Sequence, residues 1–458
     1  MGVTVVGAGL VGLLTAWRLR REGHAVTLVA PDVGGDASYA AAGMLAPISE
    51  VQYGQDRLYP IMTASRAEYP DLLAELARAV DAPTGWRENG TVLLAADRSD
   101  RDAVADLVGV QQAHGMEVEP MTSSRLRRRE PALAPGVSKG WDVPSDHQVD
   151  PRLLTAALAE ALAAPLDPAA FPEAGPAAQQ VRGTVVRLER DGAHDGAHDG
   201  TDDDRRQYRL TLASGEELVD ERVVLAPGLG YGRIEGIPRR HPLPLRPVHG
   251  DVLRLRVHPG RLAPGEEHLV TATIRAKVRG RSVYLVPRGD GGLVVGASSR
   301  EDGLAGTRAG SVQELLDDAA AILPAVKDME LEEIATRARP GTPDDIPLLG
   351  LLDDEPGVVV STGYSRHGIL LAPIGARLAA ALVGPPTPDA GRAVDAELSA
   401  ADAQLLASMD PTRATPDDPS GDPSDDHAVG VPGACGEPAA AGMSPDPTPV
   451  PPTPAQKG

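Results

Sequence analysis

The sequence predicts an α/β protein of discontinuous architecture, and three stretches carry that prediction. Val3-Thr4-Val5-Val6 runs into Gly7-Ala8-Gly9-Leu10-Val11-Gly12, then an apolar helical segment over 13–21 and a second strand over 25–29. Far downstream, Val358 to Ser361 leads into another glycine-containing turn, 362–368, and an apolar helix over 369–383. Between them, 283–287 and 293–296 flank Arg288-Gly289-Asp290-Gly291-Gly292, a hairpin signal. Strand–glycine–helix junctions belong to parallel sheets and hairpins to antiparallel ones. The expected fold is a Rossmann-like dinucleotide-binding domain (parallel sheet, GxGxxG) interleaved with an antiparallel-sheet α+β domain.

The opening turn is the most explicit element. Gly7 permits the tight turn, Gly9 lets backbone approach a pyrophosphate, and Gly12 lets the helix pack close to the strand. The phosphates would sit at the helix N-terminus, where unpaired N–H groups and the helix dipole favour negative charge. The second strand ends in Ala30-Pro31-Asp32. An acid usually stands at its end to meet the ribose, but here that position is Ala30 and the nearest acid is Asp32.

Residues 37–47 are small, Ala37-Ser38-Tyr39-Ala40-Ala41-Ala42-Gly43-Met44-Leu45-Ala46-Pro47. Taken alone they favour an Ala-rich helix, although small side chains also allow close approach to something flat. An amphipathic helix is expected over 63–80 and a strand at 91–95. Asp150 and Pro151 read as N-cap and first residue of a helix over 152–163, and His147 just ahead of it as structural. The 183–188 strand precedes a repeat containing His194, His198 and several aspartates, a solvated hairpin tip rather than a metal site. Arg222 to Ala226 reads as a return to the nucleotide sheet, and 252–257 as a half-exposed strand. Residues 337–344 look like a proline-stiffened loop carrying Arg337 and Arg339. A final helix over 396–409 precedes a tail too poor in large apolar residues to fold.

With 458 residues the chain has room for two or three domains. No apolar run reaches the ~18 residues of a membrane span, and no secretory leader opens the chain, so a cytoplasmic location without membrane association is expected. Cys435 is the single cysteine, which leaves no internal disulfide and argues against a Cys-based metal or catalytic centre. A net charge of −21 argues against nucleic acid as a partner, because phosphate contacts need clustered Lys and Arg. The oligomeric state is open, a homo-oligomer included.

Together, residues 7–12, 38–47, 283–288, 339–344 and 366–373 resemble the glycine oxidase branch of the D-amino-acid oxidase family of flavoproteins. The resemblance spans residues 1 to about 400. It implies non-covalent FAD, with Gly7, Gly9, Leu10, Val11 and Gly12 at the pyrophosphate and Ala30, Pro31 and Asp32 near the adenosine. It places Ala37 and Ser38 at further cofactor contacts, Ala42, Gly43 and Met44 against the flavin, and Val185 at the adenine. Gly228 is a further cofactor contact, and the turn Tyr364, Ser365, Arg366, His367, Gly368, Ile369 and Leu370 would face the isoalloxazine. The implied domains are 1–85, 146–235 and 331–395 for FAD, 86–145 and 236–330 for substrate, and a disordered acidic, Pro-rich tail over 408–458.

For substrate, the resemblance implies Arg339 as the carboxylate clamp, Arg366 as a second arginine beside the flavin, and Tyr284 and Met44 nearby. Residues alone leave Arg339 divided between that role and a loop salt bridge with Asp344 or Asp345. The implied chemistry is oxidation of glycine or another small amino acid. Hydride passes from Cα to flavin N5 without a general base, an imine leaves, and dioxygen becomes hydrogen peroxide; supply of thiamine thiazole synthesis is one use. Arg337, Ser282 and Ser299 depart from the family pattern. The alternatives are a sarcosine-type or D-amino acid oxidase, a nicotinamide-dependent dehydrogenase, and a flavin-binding module without turnover.

Overall fold

Each of the two principal sheets is assembled from segments distant in the chain. The computed structural model describes residues 1–191, 207–262, 268–385 and 398–414; the histidine repeat and Cys435 lie outside them. The first sheet has the order Leu348–Leu352, Glu355–Thr362, Arg222–Leu225, Gly2–Val6, Ala25–Ala30, Gln179–Arg182. It is parallel apart from the Leu348–Leu352 edge, which pairs antiparallel with Glu355–Thr362. The central strand Gly2–Val6 reads as a continuous β-branched run because both faces are covered, Val3 and Val5 on one side and Val6 on the other.

The helices Leu10–Arg21 and Gly368–Val383 pack against each other on one face of that sheet, with Pro151–Ala163 and Leu58–Ala79 beside them. Leu10, Leu13, Leu14, Trp17, Leu371, Ile374 and Leu378 fill this core. A smaller sheet, Glu217–Asp220, Tyr208–Leu212, Val185–Arg190 and Glu235–Gly236, covers the other face.

The second principal sheet has eight strands: Glu330–Gly341, Arg246–Arg256, Gly292–Gly296, Arg281–Pro287, Thr273–Val278, Thr91–Ala95, Gly140–Val143 and Glu119–Met121. All its pairings are antiparallel except Thr273–Val278 with Thr91–Ala95. The predicted hairpin is the Arg281–Pro287 and Gly292–Gly296 pair. Ile274, Ala276, Val283, Leu285 and Val295 alternate into a core under helix Ala309–Ile322, and the intervening residues face the other way.

Three sequence expectations change. The small-residue run is no single helix: Asp36–Ala40 is helical, and the chain then extends so that Met44–Leu45 pairs with His147–Gln148. The expected loop at 337–344 is mostly strand, since Glu330–Gly341 runs as an edge against Arg246–Arg256. Pro340 is tolerated there because an edge strand has one side without ladder bonds. Order also continues past 408: Met409 is fully buried, and its carbonyl accepts from the Leu349 amide. The N-cap at Asp150 and Pro151 is as expected, with the Asp150 carboxylate accepting from the Arg152 amide. Among the described residues no helix is long and apolar enough to cross a membrane.

One buried cation joins the opening helix to its neighbour. Arg20 is 2% exposed and donates to the carbonyls of Ala161, Leu162, Ala164 and Pro176 around the end of helix Pro151–Ala163. Its charge also complements the negative end of that helix dipole. Arg20→Met should strand these carbonyls and cost roughly 3 kcal/mol, read as a lower urea midpoint with unchanged slope.

Candidate active site

The opening turn is shaped as a cradle for an anion. Gly7 has φ +107°, and a Cβ there would lie 2.3 Å from the Ala226 carbonyl oxygen. At Gly12 a Cβ would meet the Gly7 oxygen at 2.0 Å, so helix and strand approach as closely as backbone allows. The first helical turn holds no acid, and its cap, Gly9, offers no side chain. The Leu10 amide donates to Ser38 Oγ at 3.0 Å, while the Val11 and Gly12 amides have no acceptor among the described residues. Two orphan donors on a helix dipole with no local carboxylate are the donor set a pyrophosphate needs.

At the ribose end, Ala30 accepts from the Gly183 amide and lies alongside Arg182, which puts Val185 three residues beyond that pairing. The Asp32 carboxylate pairs at the surface with Arg182 at 3.2 Å, and the same arginine donates to the Pro31 carbonyl.

The other end of the site forms where three strand ends converge. Gly228 follows Arg222–Leu225, and its carbonyl accepts from Thr362 Oγ1. Ser365, with φ +48°, donates its amide to the Pro340 carbonyl, and its hydroxyl accepts from the Thr342 amide. Tyr364 points inward to Ser361, and burial pushes its hydroxyl up to about 12. The turn is thereby fixed ahead of helix Gly368–Val383, whose cap His367 makes no side-chain cap bond. Tyr69 and Ser65 bond the Ile369 and Leu370 carbonyls from outside.

Facing this junction, Arg288 donates to the carbonyls of Ala42 and Val149 and to Gln148 Oε1, with Asp150 at 3.4 Å. The segment Ala42, Gly43 and Met44, with Gly43 at φ +76°, is thus tied to the hairpin turn. Burial lowers the Arg288 pKa to about 10, which leaves it charged at neutral pH.

Arg339 and Tyr284 lie flat across the sheet face because two positions lack side chains. A Cβ on Gly250 would lie 2.5 Å from the Arg339 guanidinium nitrogens, and one on Gly296 would lie 2.3 Å from the Tyr284 hydroxyl. Among the described residues Arg339 has no carboxylate partner; its one bond is to the Ser298 carbonyl at 3.4 Å. The salt-bridge alternative is overturned, since Asp344 pairs with Arg413 and Asp345 bonds Gln55. The Tyr284 hydroxyl also lacks a partner among the described residues, and burial raises its pKa.

Two charged residues here had no signal in the one-dimensional pattern. Glu50 Oε1 pairs with Arg275 at 2.7 Å, and Glu50 Oε2 stands 3.1 Å from His367 Nδ1. Arg275 also touches the Met44 sulfur at 3.6 Å. Arg366 donates to the Glu50 carbonyl and to His367 Nε2, and its side chain is otherwise exposed. Asp146 accepts from the Ile48 and Ser49 amides and so fixes the backbone leading to Glu50; burial raises its pKa to about 6. His147 packs edge-on against Trp86, with its pKa lowered by burial, as a structural residue would.

A glycine-turn nucleotide cradle together with a guanidinium cluster at a second strand–helix junction defines a dinucleotide-dependent oxidoreductase. A family model described as "FAD dependent oxidoreductase" matches residues 2–382, and the chain belongs to that family, with FAD as its cofactor. The glycine oxidase of Geobacillus kaustophilus is 30% identical over 83% of this chain and 92% of its own length. The bifunctional protein ThiO/ThiG of Nostoc sp. is 29% identical over 83% of this chain. The chain spans about half the length of these bifunctional relatives, 52% in the Nostoc case. A crystal structure of glycine oxidase from Geobacillus kaustophilus superposes with a TM-score of 0.72 at 28% identity, covering 90% of this chain and 98% of that one.

Two measurements probe the site. Gly12→Val should abolish FAD retention, read as the ratio of flavin to protein absorbance, because the new side chain would meet the Gly7 carbonyl. For Glu50, burial alone would raise the pKa, but Arg275, His367 and Arg366 outweigh it and lower it from 4.5 to about 2. A depressed carboxyl stabilises the fold above its unfolded pKa, and that contribution is lost as pH falls through the folded value. Acid destabilisation should therefore steepen from pH 4.5 down to about 2, and Glu50→Gln should remove that increment in pH-dependent unfolding.

Proposed function

We propose that the protein is an FAD-dependent amino acid oxidase acting on glycine or another small amino acid. The observation carrying this reading is the Arg339 guanidinium, held against Gly250, without a carboxylate partner among the described residues and near the Tyr284 hydroxyl. A planar guanidinium takes a carboxylate bidentately, and a free phenol adds a third donor. Met44 and Ala42, in the same apolar cluster as Tyr284, would give the substrate a small, weakly polar wall.

FAD, held non-covalently by the 7–12 turn, Ser38, the 42–44 segment and the 364–370 turn, supplies the two-electron acceptor when bound. The chain's own residues bind and orient. Arg339 and Tyr284 fix the carboxylate, and the first amides of helix Gly368–Val383, without acceptors outside the helix among the described residues, favour negative charge at that junction. Amino acid and dioxygen become imino acid and hydrogen peroxide, and the imine hydrolyses to oxo acid and ammonia. No side chain near Arg339 is needed as a general base if the amine enters neutral.

The names of the similar proteins support glycine as substrate, and the ThiO name supports a role in supplying thiamine thiazole synthesis. Sarcosine and D-amino acids are the competing substrates, because Ser282 and Ser299, both exposed, stand where the family resemblance implies larger pocket-lining residues. The two principal sheets support assigning FAD to the parallel one and substrate to the antiparallel one. On that reading the strand Glu330–Gly341 belongs with the substrate sheet.

Purified holoenzyme should release peroxide with at least one of glycine, sarcosine and a D-amino acid; silence with all three, FAD bound, sinks the proposal. Arg339→Ala should lower kcat/KM by roughly 100-fold or more with FAD content unchanged, the scale of losing one partner of a desolvated charge pair. Acid precipitation should leave FAD in the supernatant, whereas flavin retained in the pellet would mean a covalent link.

A further inference from the structure

The cap residue of helix Gly368–Val383 sits between opposite charges. His367 is 1% exposed, and its backbone is fixed on both sides: its amide donates to the Tyr364 carbonyl, and its carbonyl accepts from the Leu371 amide. Glu50 Oε2 stands 3.1 Å from the ring Nδ1, and Arg366 Nε donates to Nε2 at 3.2 Å. A guanidinium carries donors only, so Nε2 must offer a lone pair, and the ring proton of a neutral His367 is on Nδ1. The Glu50 carboxylate favours that arrangement, because it then faces a ring N–H rather than a second lone pair.

Glu50 meets this pair twice. Its carboxylate faces the imidazole, while its backbone carbonyl accepts from Arg366 Nη2 at 3.1 Å. Its other carboxylate oxygen is held by Arg275 at 2.7 Å, and Arg275 lies opposite Tyr284 in the register of strands Thr273–Val278 and Arg281–Pro287. A continuous series of contacts therefore runs from the cross-strand neighbour of Tyr284 through Glu50 and His367 to Arg366. Arg366 needs such a hold. It is exposed and makes no ion pair among the described residues, and an arginine left free keeps its full rotamer freedom. The charges that reach it through space are Glu50, Asp345, Arg275 and Arg339, which puts it in the neighbourhood of the carboxylate clamp. With Nε on His367 and Nη2 on Glu50, its Nη1 has no acceptor among the described residues.

We propose that His367 is a positioning residue for substrate binding: as the neutral Nδ1–H tautomer, set by Glu50, it holds Arg366 so that the free Nη1 supplements Arg339 in gripping the substrate. This rests on the amino acid oxidase reading above and adds to it the means by which a second, exposed arginine is kept ready. Without the imidazole acceptor, the substrate itself would have to order Arg366. That entropy would appear as weaker binding and not as slower chemistry.

The test uses FAD-loaded enzyme and whichever amino acid yields most peroxide. His367→Leu should raise KM about fivefold or more, with kcat within about twofold and FAD content unchanged. His367→Gln, whose amide keeps an acceptor for Arg366, should recover most of that loss. Arg366→Met should raise KM at least as far, and adding His367→Leu to it should change KM by no more than about twofold, because His367 acts only through Arg366. In the unsubstituted holoenzyme, nitrogen NMR of labelled histidines should show His367, assigned by its loss in His367→Gln, as the neutral Nδ1–H tautomer. That measurement stands even where His367→Leu does not fold. An unchanged KM in His367→Leu, additive effects of the two substitutions, loss of FAD from His367→Leu, or a proton on Nε2 overturns the positioning role and leaves amino acid oxidation standing. Absence of peroxide from every amino acid overturns the oxidase reading itself, and the positioning role with it.

Discussion

The architecture depends on one buried guanidinium at the seam between the two principal sheets. Arg288 belongs to the turn of the antiparallel hairpin, yet its hydrogen bonds go to Ala42, Gln148 and Val149 in the segments flanking the parallel sheet. A cation this deep persists only where acceptors surround it and an acid stands near, as Asp150 does. Asp150 also caps helix Pro151–Ala163, so helix start, hairpin turn and the 42–44 backbone are positioned by one cluster. Apolar packing alone would let the sheets slide. Directional bonds from a planar group set their register.

The guanidinium cluster beside this seam follows a consistent electrostatic plan. Guanidinium groups approach from the antiparallel sheet at Arg275 and Arg339 and from the second junction at Arg366, and Glu50 is placed to keep them from repelling one another apart. Two bare positions, Gly250 and Gly296, hold Arg339 and Tyr284 low against the sheet rather than upright. The sheet surface is thereby recognition surface as well as scaffold.

Much of this was legible in one dimension, for physical reasons. The opening turn announces itself because strand, glycines and helix are contiguous, and the Gly292–Gly296 hairpin because turn chemistry is local. Glu50 and Arg275 were not legible, because their significance comes from a contact spanning 225 residues between them. The loop expected at 337–344 is mostly the end of strand Glu330–Gly341, because Pro340 normally interrupts a ladder and only the edge position of that strand excuses it. Asp32 was a reasonable ribose candidate from its place after the second strand, yet its carboxylate turns outward to Arg182.

The docked segment after helix Ala400–Ser408 bears on the geometry of the clamp. Pro411 sits against Gly350, and Arg413 binds Asp344 together with the Ile346 and Pro347 carbonyls. Those residues form the bend that leaves the strand bearing Arg339 and enters Leu348–Leu352. The far end of the described chain is therefore a splint on the hinge next to the carboxylate site. Proteolytic trimming that stops beyond Ala414 spares the splint, whereas trimming that reaches Met409 removes it and frees the bend.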